Sequence, residues 1–313
     1  MIDVSLVIPF LNEEENLKEL VVQLNEYAKS QRFSIEAVFV DDGSKDNSVT
    51  VLRMVESEVP LRLVRLSKNY GSHAAIRAGI TKTIGRYAMF FSADLQEPFS
   101  MIGEMYAKVC EGYDVVVARK AEVQVSSSEK RFSNIYTSLV RTFAIKDYPK
   151  GGANNFMFSS KVKEELCKNI EANSSIHMQI IDMGFHRTTI DVSLNERNHG
   201  KSKWTLSRKI KLFIDSFLAF SYAPIRGISI IGIVLLVLGV LYALFIFITS
   251  ITGIIWFNPG FPTIISVLLL GFGITNFSIA VVAEYLWRTL DAARGRPVFI
   301  IDDVEELGRG EEA

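Results

Sequence analysis

One long stretch of this chain carries almost no charge. Between residues 227 and 287 there is no Lys and no Arg, and Glu284 is the only formally charged residue. The segments 228–250 and 261–287 are each long enough to cross about 30 Å of hydrocarbon as a helix, and a turn at 258–260 separates them. The sequence therefore predicts a transmembrane hairpin over 227–287. A buried helical hairpin in a soluble protein is the alternative.

Basic residues on both sides of this stretch predict its orientation. Short cytoplasmic loops carry an excess of Lys and Arg, whereas the connecting turn of the hairpin has none. We therefore expect both termini on the cytoplasmic side of the inner membrane, with a cytoplasmic tail over 288–313 and only the hairpin tip outside. The flanking basic residues are Lys201, Lys203, Arg208, Lys209, Lys211, Arg226, Arg288, Arg294 and Arg296.

The segment 205–226, just before the hairpin, has a different pattern. Apolar residues recur at helical spacing, with Arg208, Lys209 and Lys211 between them. This pattern predicts an amphipathic juxtamembrane helix that lies on an anionic leaflet. The alternative is an ordinary helix packed on the core of the preceding domain.

Residues 1–204 have the pattern of an α/β domain. Apolar runs alternate with helical patterns, which indicates a mostly parallel sheet covered on both faces. The first run follows Met1 without a basic segment, so it predicts a buried strand rather than a signal peptide. Cys110 and Cys167 are far apart, which fits a reducing compartment. The five predicted strands lie in SLVIPF, IEAVFVDDGS, LRLVRLS, RYAMFFSADLQ and YDVVVARK, and the helices begin near Asn12, Asp46 and His73.

Polar side chains collect where these strands end. Asn12-Glu13, Asp41-Asp42 and Asp94 with Gln96 follow three different predicted strands. Ligands of open parallel sheets bind beyond the carboxyl ends of the strands. The chain has neither a GxGxxG fingerprint after the first strand nor a GxxxxGK[ST] loop, which argues against a dinucleotide site and a P-loop. Acids at such an edge can hold a divalent ion, Mg²⁺ or Mn²⁺, that in turn binds a diphosphate.

Four segments in order carry a resemblance to a known family. They are VIPFLNEEENL, VFVDDGSKDNS, LSKNYGSHAAIRAGI and FSADLQEP, followed later by ERNHGKSKW and the apolar stretch. Together they resemble the GT-A glycosyltransferases of family 2. The nearer resemblance is to the polyprenyl-phosphate glycosyltransferases, which include dolichol-phosphate mannosyltransferases and bactoprenol glucosyltransferases. The resemblance implies a Rossmann-like GT-A domain in the cytoplasm.

The same resemblance implies roles for individual residues. The nucleoside side of the donor would be contacted by Pro9, Asn12, Glu13, Asp41 and Asp42. The metal ion and diphosphate would be bound by Asp94 and Gln96. The donor and lipid phosphates would be approached by Arg119 and Arg131. A loop that closes over phosphate would contribute Arg197, Ser202 and Lys203. Asp94, Gln96, Arg131 and Lys203 would carry the catalysis.

Two positions depart from the family pattern. Ser92 stands where relatives often have a further acid, which leaves fewer carboxylates for the ion. Asn155 stands where many relatives have Asp. A general base is nevertheless unnecessary if the acceptor is a phosphate monoester. Its second pKa is about 6, so its oxygen is already largely anionic in the cytoplasm.

The resemblance thus implies an inverting, metal-dependent hexosyltransferase of the cell envelope. It would move one sugar from a nucleotide sugar to polyprenyl (undecaprenyl) phosphate. UDP-glucose or UDP-N-acetylglucosamine is the favoured donor, and GDP-mannose is the alternative. A catalytically silent scaffold or flippase subunit is a further alternative, whereas a processive synthase is disfavoured because no Gln-x-x-Arg-Trp motif occurs. We expect no nucleic-acid partner; a homo-oligomer is plausible.

Overall fold

The computed structural model describes residues 2–120, 155–171, 174–193 and 261–307. It also describes position 195 and isolated positions between 137 and 153 and between 228 and 252. The chain divides into two compact units. One consists of Met1–Ser216 together with Pro297–Ala313, and the other is Phe217–Arg296.

The first unit is built on one mixed sheet. Its strands lie in the order β7-β5-β6-β4-β1-β2-β3-β8. Of the eight described strands, only β6 and β8 run against the other six, because β6 pairs antiparallel with β4 and β5, and β8 pairs antiparallel with β3. The strands are β1 Val4–Phe10, β2 Ile35–Asp41, β3 Leu61–Leu66, β4 Tyr87–Phe90, β5 Val115–Lys120, β6 Asn155–Ser159, β7 Arg187–Val192 and β8 Ile301–Leu307.

Helices cover the central strands. Every residue of β2 and all but one of β1 are buried, and consecutive strand residues face opposite sides, so both faces of the sheet are covered. The helices whose bounds the structure describes in this unit are α1 Leu17–Ser30, α2 Ser48–Met54, α3 Ser72–Ile80, α4 Ser100–Cys110, α5 Ser160–Lys168 and α6 Ile176–Asp182.

Gly79 lets helix α3 lie close against the sheet. A Cβ atom at this position would stand 2.4 Å from Cγ1 of Val7 and 2.8 Å from Cγ2 of Val40. Both distances are far below van der Waals contact, so only glycine permits this packing. The close approach lets the last turn of α3 pack on β1 and β2, and the start of α3 is held by the amide of Gly71, which donates to Asp42.

The five predicted strands are confirmed, and the sheet is α/β as expected. Three further strands were not predicted. β6 runs against its neighbours, and β7 lies beside β5 at one end of the sheet. β8 forms within the predicted C-terminal tail and extends the other end of the sheet by pairing with β3.

The second unit contains one long described helix, α7, over Phe261–Ala293. Near its end Nε of Arg288 donates to Oε1 of Glu284 across 3.1 Å, and the two side chains form an ion pair. The described residues include no helix with both the length and the hydropathy of a membrane span. Most of segment 228–250 and all of 205–226 lie outside the described residues.

Candidate active site

The turn after β1 and the loop after β2 are joined side by side at the carboxyl edge of the sheet. The amide of Asn12 donates to Oγ of Ser44 across 2.9 Å, and Oδ1 of Asn12 accepts the amide of Lys45 across 2.8 Å. The amide of Glu13 donates to Oγ of Ser48 across 2.8 Å. Asn12 has a φ of 52°, a left-handed conformation that Asn tolerates better than most residues. These hydrogen bonds join the two loops into one structure, and we call this carboxyl edge of the sheet the rim.

Asp41 and Asp42 are both buried at the end of β2, and backbone amides hold both. Oδ1 of Asp41 accepts the amide of Ser44 across 2.8 Å. The two oxygens of Asp42 accept the amides of Tyr70 and Gly71 across 2.7 and 2.9 Å. Burial raises the pKa of Asp42; these two hydrogen bonds oppose the rise, and the neighbouring Asp41 adds to it. Asp42 thus ties the β3–α3 loop to β2, whatever else it binds.

Asp94 lies in a tight turn after β4, the strand that pairs with β1 on the side opposite β2. Oδ1 of Asp94 accepts Oγ–H of Ser92 across 2.7 Å and the amide of Gln96 across 3.3 Å. Leu95 between them has a φ of 60°, which is strained for a side chain of this type. The sheet therefore brings Asp94 and Gln96 to the same edge as Asn12, Glu13, Asp41 and Asp42. Pro9 lies inside β1, just before this edge.

Glu97 forms hydrogen bonds to the same turn and to the start of β6. Its Oε2 accepts the amide of Ser92 across 2.7 Å, and its Oε1 accepts Nδ2 of Asn155 across 2.8 Å. Burial raises the pKa of Glu97 to about 7, against the effect of the two hydrogen bonds, and the nearby Asp94 adds to the rise. Asn155 is the first residue of β6, whose antiparallel course brings its amino end to the carboxyl edge. The two departures from the family pattern thus meet at one carboxyl group.

Arg119 lies near the end of β5 and is engaged by an acid on the next strand. It forms an ion pair with Asp191 of β7, and Nη2 stands 3.0 Å from Oδ2. The hydrogen bond from Arg119 lowers the pKa of Asp191. β6 separates β5 from β4 in the sheet. The structure therefore places Arg119 at the same edge as Asp94 but two strands away from it.

Four predicted site residues lie outside the described residues: Arg131, Arg197, Ser202 and Lys203. Their roles stay predictions. One described contact lies just before Arg197, Ser202 and Lys203 in the sequence. The amide of Asn195 donates to the carbonyl oxygen of Gln96 across 2.8 Å. The chain thus reaches the Asp94 turn two residues before Arg197.

Comparison with known proteins places this rim in a family. Residues 5–170 match the description "Glycosyl transferase family 2". The chain belongs to glycosyltransferase family 2. The family membership and the mixed sheet confirm a GT-A-like α/β fold, and the protein is a glycosyltransferase.

Relatives match this glycosyltransferase well beyond the family domain. An undecaprenyl-phosphate 4-deoxy-4-formamido-L-arabinose transferase of Edwardsiella ictaluri is 31% identical over 99% of this chain and 96% of its own. The protein of the same name from Pseudomonas savastanoi pv. phaseolicola is 33% identical over 96% of this chain and 90% of its own. The predicted resemblance to the polyprenyl-phosphate group is thereby confirmed.

Solved structures of lower similarity also align with the glycosyltransferase. Staphylococcus aureus TarS in complex with UDP-GlcNAc has a TM-score of 0.46 and 14% identity, over 65% of this chain and 62% of that one. Glucosyl-3-phosphoglycerate synthase from Mycobacterium tuberculosis, with Mn²⁺, UDP-glucose and phosphoglyceric acid, has a TM-score of 0.47 and 12% identity, over 64% and 73%.

Few side chains at this rim could serve as metal ligands. Within the described part of the glycosyltransferase, no three His, Cys, Asp or Glu residues are grouped to hold an ion. Asp94 and Gln96 offer oxygen ligands, the type that Mg²⁺ and Mn²⁺ prefer. Mg²⁺ is usually bound by one or two carboxylates and completes its shell with substrate phosphates and water. The residues present therefore fit an ion that arrives with a nucleoside diphosphate.

Sequence reasoning missed two acids of this glycosyltransferase. Glu97 follows Asp94 by three residues, so an acid beside the predicted metal motif was the available signal. Asp191 gives no local signal, because only the pairing of β5 with β7 sets it opposite Arg119. The sequence pattern presents Asn155 as a lost base, whereas the structure shows it as a hydrogen-bond donor to Glu97.

Proposed function

We propose that this glycosyltransferase moves one sugar from a nucleotide-sugar donor to polyprenyl phosphate on the cytoplasmic leaflet. One observation carries the proposal. Transferases named for undecaprenyl phosphate match 96–99% of this chain at 31–33% identity, including the apolar stretch that lies beyond the family domain. A relative that shared only the GT-A domain would leave the acceptor open.

The chemistry of the rim is compatible with this reaction. The nucleoside would bind toward Asp41 and Asp42, and the diphosphate toward Asp94 and Gln96. A Mg²⁺ or Mn²⁺ ion held by the latter two would neutralise the leaving diphosphate. The acceptor phosphate is anionic at cytoplasmic pH, so attack at the anomeric carbon with inversion needs no proton transfer to an enzyme base. An amide at position 155 is consistent with this route.

The proposal includes several candidate donor sugars. UDP-glucose and UDP-N-acetylglucosamine are the donors that the resemblance favours, with GDP-mannose as the alternative. The relatives act on 4-deoxy-4-formamido-L-arabinose, so a nucleotide-linked form of that sugar joins the candidates. The candidate donors therefore include neutral, acetamido and formamido sugars, and all of them are tested.

We further propose that residues 227–287 anchor the enzyme in the inner membrane. The absence of Lys and Arg in this stretch and the basic residues on both sides support the anchor. Large apolar side chains also lie exposed along helix α7: Ile264, Val267, Leu268, Phe272, Phe277, Ile279, Val282, Leu286 and Trp287.

A transfer assay tests the reaction. Purified full-length protein is incubated with each radiolabelled donor, undecaprenyl phosphate and Mg²⁺ or Mn²⁺, and organic-soluble label is measured. We expect a labelled lipid with one donor of the panel, and its loss on addition of EDTA. Absence of product with every donor would contradict the enzyme proposal and favour the silent scaffold.

Cysteine labelling in intact cells tests the anchor. Cys110 and Cys167 are first replaced by Ser, and one Cys is then introduced at Asn258 or at Asp302. A membrane-impermeant maleimide should label position 258 from outside, and position 302 only after lysis. Equal labelling of both positions in intact cells would overturn the proposed topology.

A further inference from the structure

One partly buried carboxyl group connects the ends of two strands at the Asp94 turn. It belongs to Glu97, and each of its two oxygens accepts one hydrogen bond. One donor is the backbone amide of Ser92 after β4, at 2.7 Å, and the other is Nδ2 of Asn155 at the start of β6, at 2.8 Å. β4 and β6 pair directly in the sheet, so the carboxyl group spans neighbouring strand ends.

Ser92 connects Glu97 to Asp94. Its backbone amide donates to Glu97, and its hydroxyl donates to Oδ1 of Asp94 across 2.7 Å. Leu95, between Asp94 and Glu97 in the sequence, is 5% exposed. Its left-handed backbone conformation persists only where the surrounding structure determines it. The orientation of the Asp94 carboxylate therefore depends on a turn that is fixed at Glu97.

The amide of Asn155 is what allows Glu97 to remain in place. Its Nδ2 can only donate, and its Oδ1 is already used by the amide of Phe156 across 2.7 Å. A carboxylate at position 155 would replace the Nδ2 donor by an acceptor, so the two acids could face each other here only by holding a proton between them. An amide at position 97 would set a donor against one of the two donors that face it. One acid and one amide satisfy these donors and acceptors without a shared proton.

We propose that Glu97, oriented by Asn155, is a positioning residue that sets Asp94 for the transfer reaction through Ser92. The inference rests on the proposed function for its catalytic consequence, but not for its geometry. The two side chains contact each other and the Ser92 amide. Their effect reaches the reaction through the Ser92 amide and hydroxyl.

A reciprocal exchange tests the pair. Glu97→Gln leaves two donors opposed, and Asn155→Asp leaves two acids opposed. The double variant Glu97→Gln with Asn155→Asp restores one acid and one amide with their places exchanged, and its net charge equals that of the wild type. The amide introduced at 97 can accept from Ser92 and donate to the carboxylate introduced at 155, which still accepts from Phe156.

Two readouts are measured on the full-length enzyme in detergent. For kcat, each single variant should lose about 10–100-fold, as supporting residues around a metal ligand typically do, and the double variant should recover to within about fivefold of wild type. Donor KM should change less than kcat. For hydrogen exchange, the peptide that contains Ser92 should exchange faster in the single variants and regain protection in the double. Glu104→Gln, an exposed acid on α4, is the matched control.

The outcomes separate this inference from the proposed function. If the wild type transfers no sugar, the proposed function fails, while hydrogen exchange at Ser92 still tests the geometry. If the wild type is active and both single variants keep at least half of its kcat, the positioning role is wrong. A double variant no better than the worse single variant, in either readout, also overturns it.

Discussion

At the scale of single residues, the two adjacent acids after β2 differ in what they hold. Asp42 uses both oxygens on the amides of Tyr70 and Gly71, whereas Asp41 uses one oxygen on the amide of Ser44. A side-chain amide has one acceptor oxygen. It can therefore replace the carboxylate of Asp41 but not that of Asp42. The nucleoside role expected for Asp42 is therefore combined with a structural one.

This difference gives a matched pair of substitutions. Asp42→Asn should lower the free energy of unfolding by about 1–3 kcal/mol, because one buried amide loses its acceptor and faces a donor. Asp41→Asn should cost less than about 1 kcal/mol, because Ser44 keeps its partner. Urea unfolding of both variants measures the contrast. Equal losses would show that the two amides do not depend on Asp42.

Asp94 is the residue on which the reaction is most directly tested. Asp94→Ala removes the carboxylate proposed to hold the metal ion, so transfer should fall at least about 100-fold while the protein still folds. The exposed Asp302 of β8 offers the matched control Asp302→Ala, which should keep full activity. The transfer assay and a thermal melt give the result. Activity near that of wild type in Asp94→Ala would remove the proposed metal site.

At the scale of elements, helices α3 and α6 meet through basic side chains that have little water around them. The rings of His73 and His177 lie 5.4 Å apart, and His177 stacks on Phe156 at 5.1 Å. Buried Arg77 donates to Oγ of Ser174 across 3.0 Å and to Oε1 of Gln179 across 2.8 Å. Burial lowers the pKa of His73 to about 4 and that of His177 to about 3, and the nearby cations add to the effect. His73 thus packs between the two helices.

This contact predicts a loss of stability in acid. Above pH 6.5 both histidines are neutral in the folded and unfolded chain. As the pH falls below 6.5, only the unfolded chain takes up protons, so each histidine should lower the free energy of unfolding by about 2 kcal/mol between pH 7 and pH 5. His177→Phe should remove one of these contributions. Urea unfolding at the two pH values measures it.

The exposed His186 supplies the control for that measurement. His186→Phe should leave the difference between pH 7 and pH 5 as it is in the wild type. If His177→Phe also leaves it unchanged, the acid sensitivity does not arise where α3 and α6 meet.

At the scale of the whole molecule, the chain returns to its first unit after the second. Strand β8 pairs antiparallel with β3 over Ile301–Leu307, and the second unit ends at Arg296. Two acids of β8 reach across the sheet edge. Glu305 pairs with Arg53 of α2, and Glu306 pairs with Arg62 of β3, Nε to Oε1 across 2.6 Å. Strand β8 of the C-terminal segment is therefore part of the sheet.

Position 305 tests how far the sheet depends on this strand. The amide of Val304 donates to Oδ1 of Asp303, so by alternation the amide of Glu305 faces β3. Glu305→Pro removes that donor together with the ion pair, whereas Glu305→Gln removes only the charge. The proline variant should lower the thermal midpoint clearly. The glutamine variant should cost no more than about 1 kcal/mol, as for other exposed pairs. Equal midpoints would show that β8 adds little to the fold.

Local patterns in the sequence were sufficient for the alternation of strands and helices and for the acids at the strand ends. These features repeat over a few residues, and the carboxyl ends of parallel strands always meet at one edge. The sequence pattern alone therefore assigns Asn12, Asp42 and Asp94 to one site. The ordered motifs also indicated the family, which the comparisons confirm.

Pairings between distant segments were decided by tertiary structure alone. Glu97 and Asn155 lie 58 residues apart, Arg119 and Asp191 72, and Arg53 and Glu305 252. No local periodicity reports such contacts, because strand order and strand direction set them. The sequence by itself determined the kind of domain, the polar residues at the carboxyl edge of its sheet and the apolar stretch. The fold decided which side chains hold that edge in shape, because burial makes each unsatisfied donor or acceptor costly and so fixes its partner.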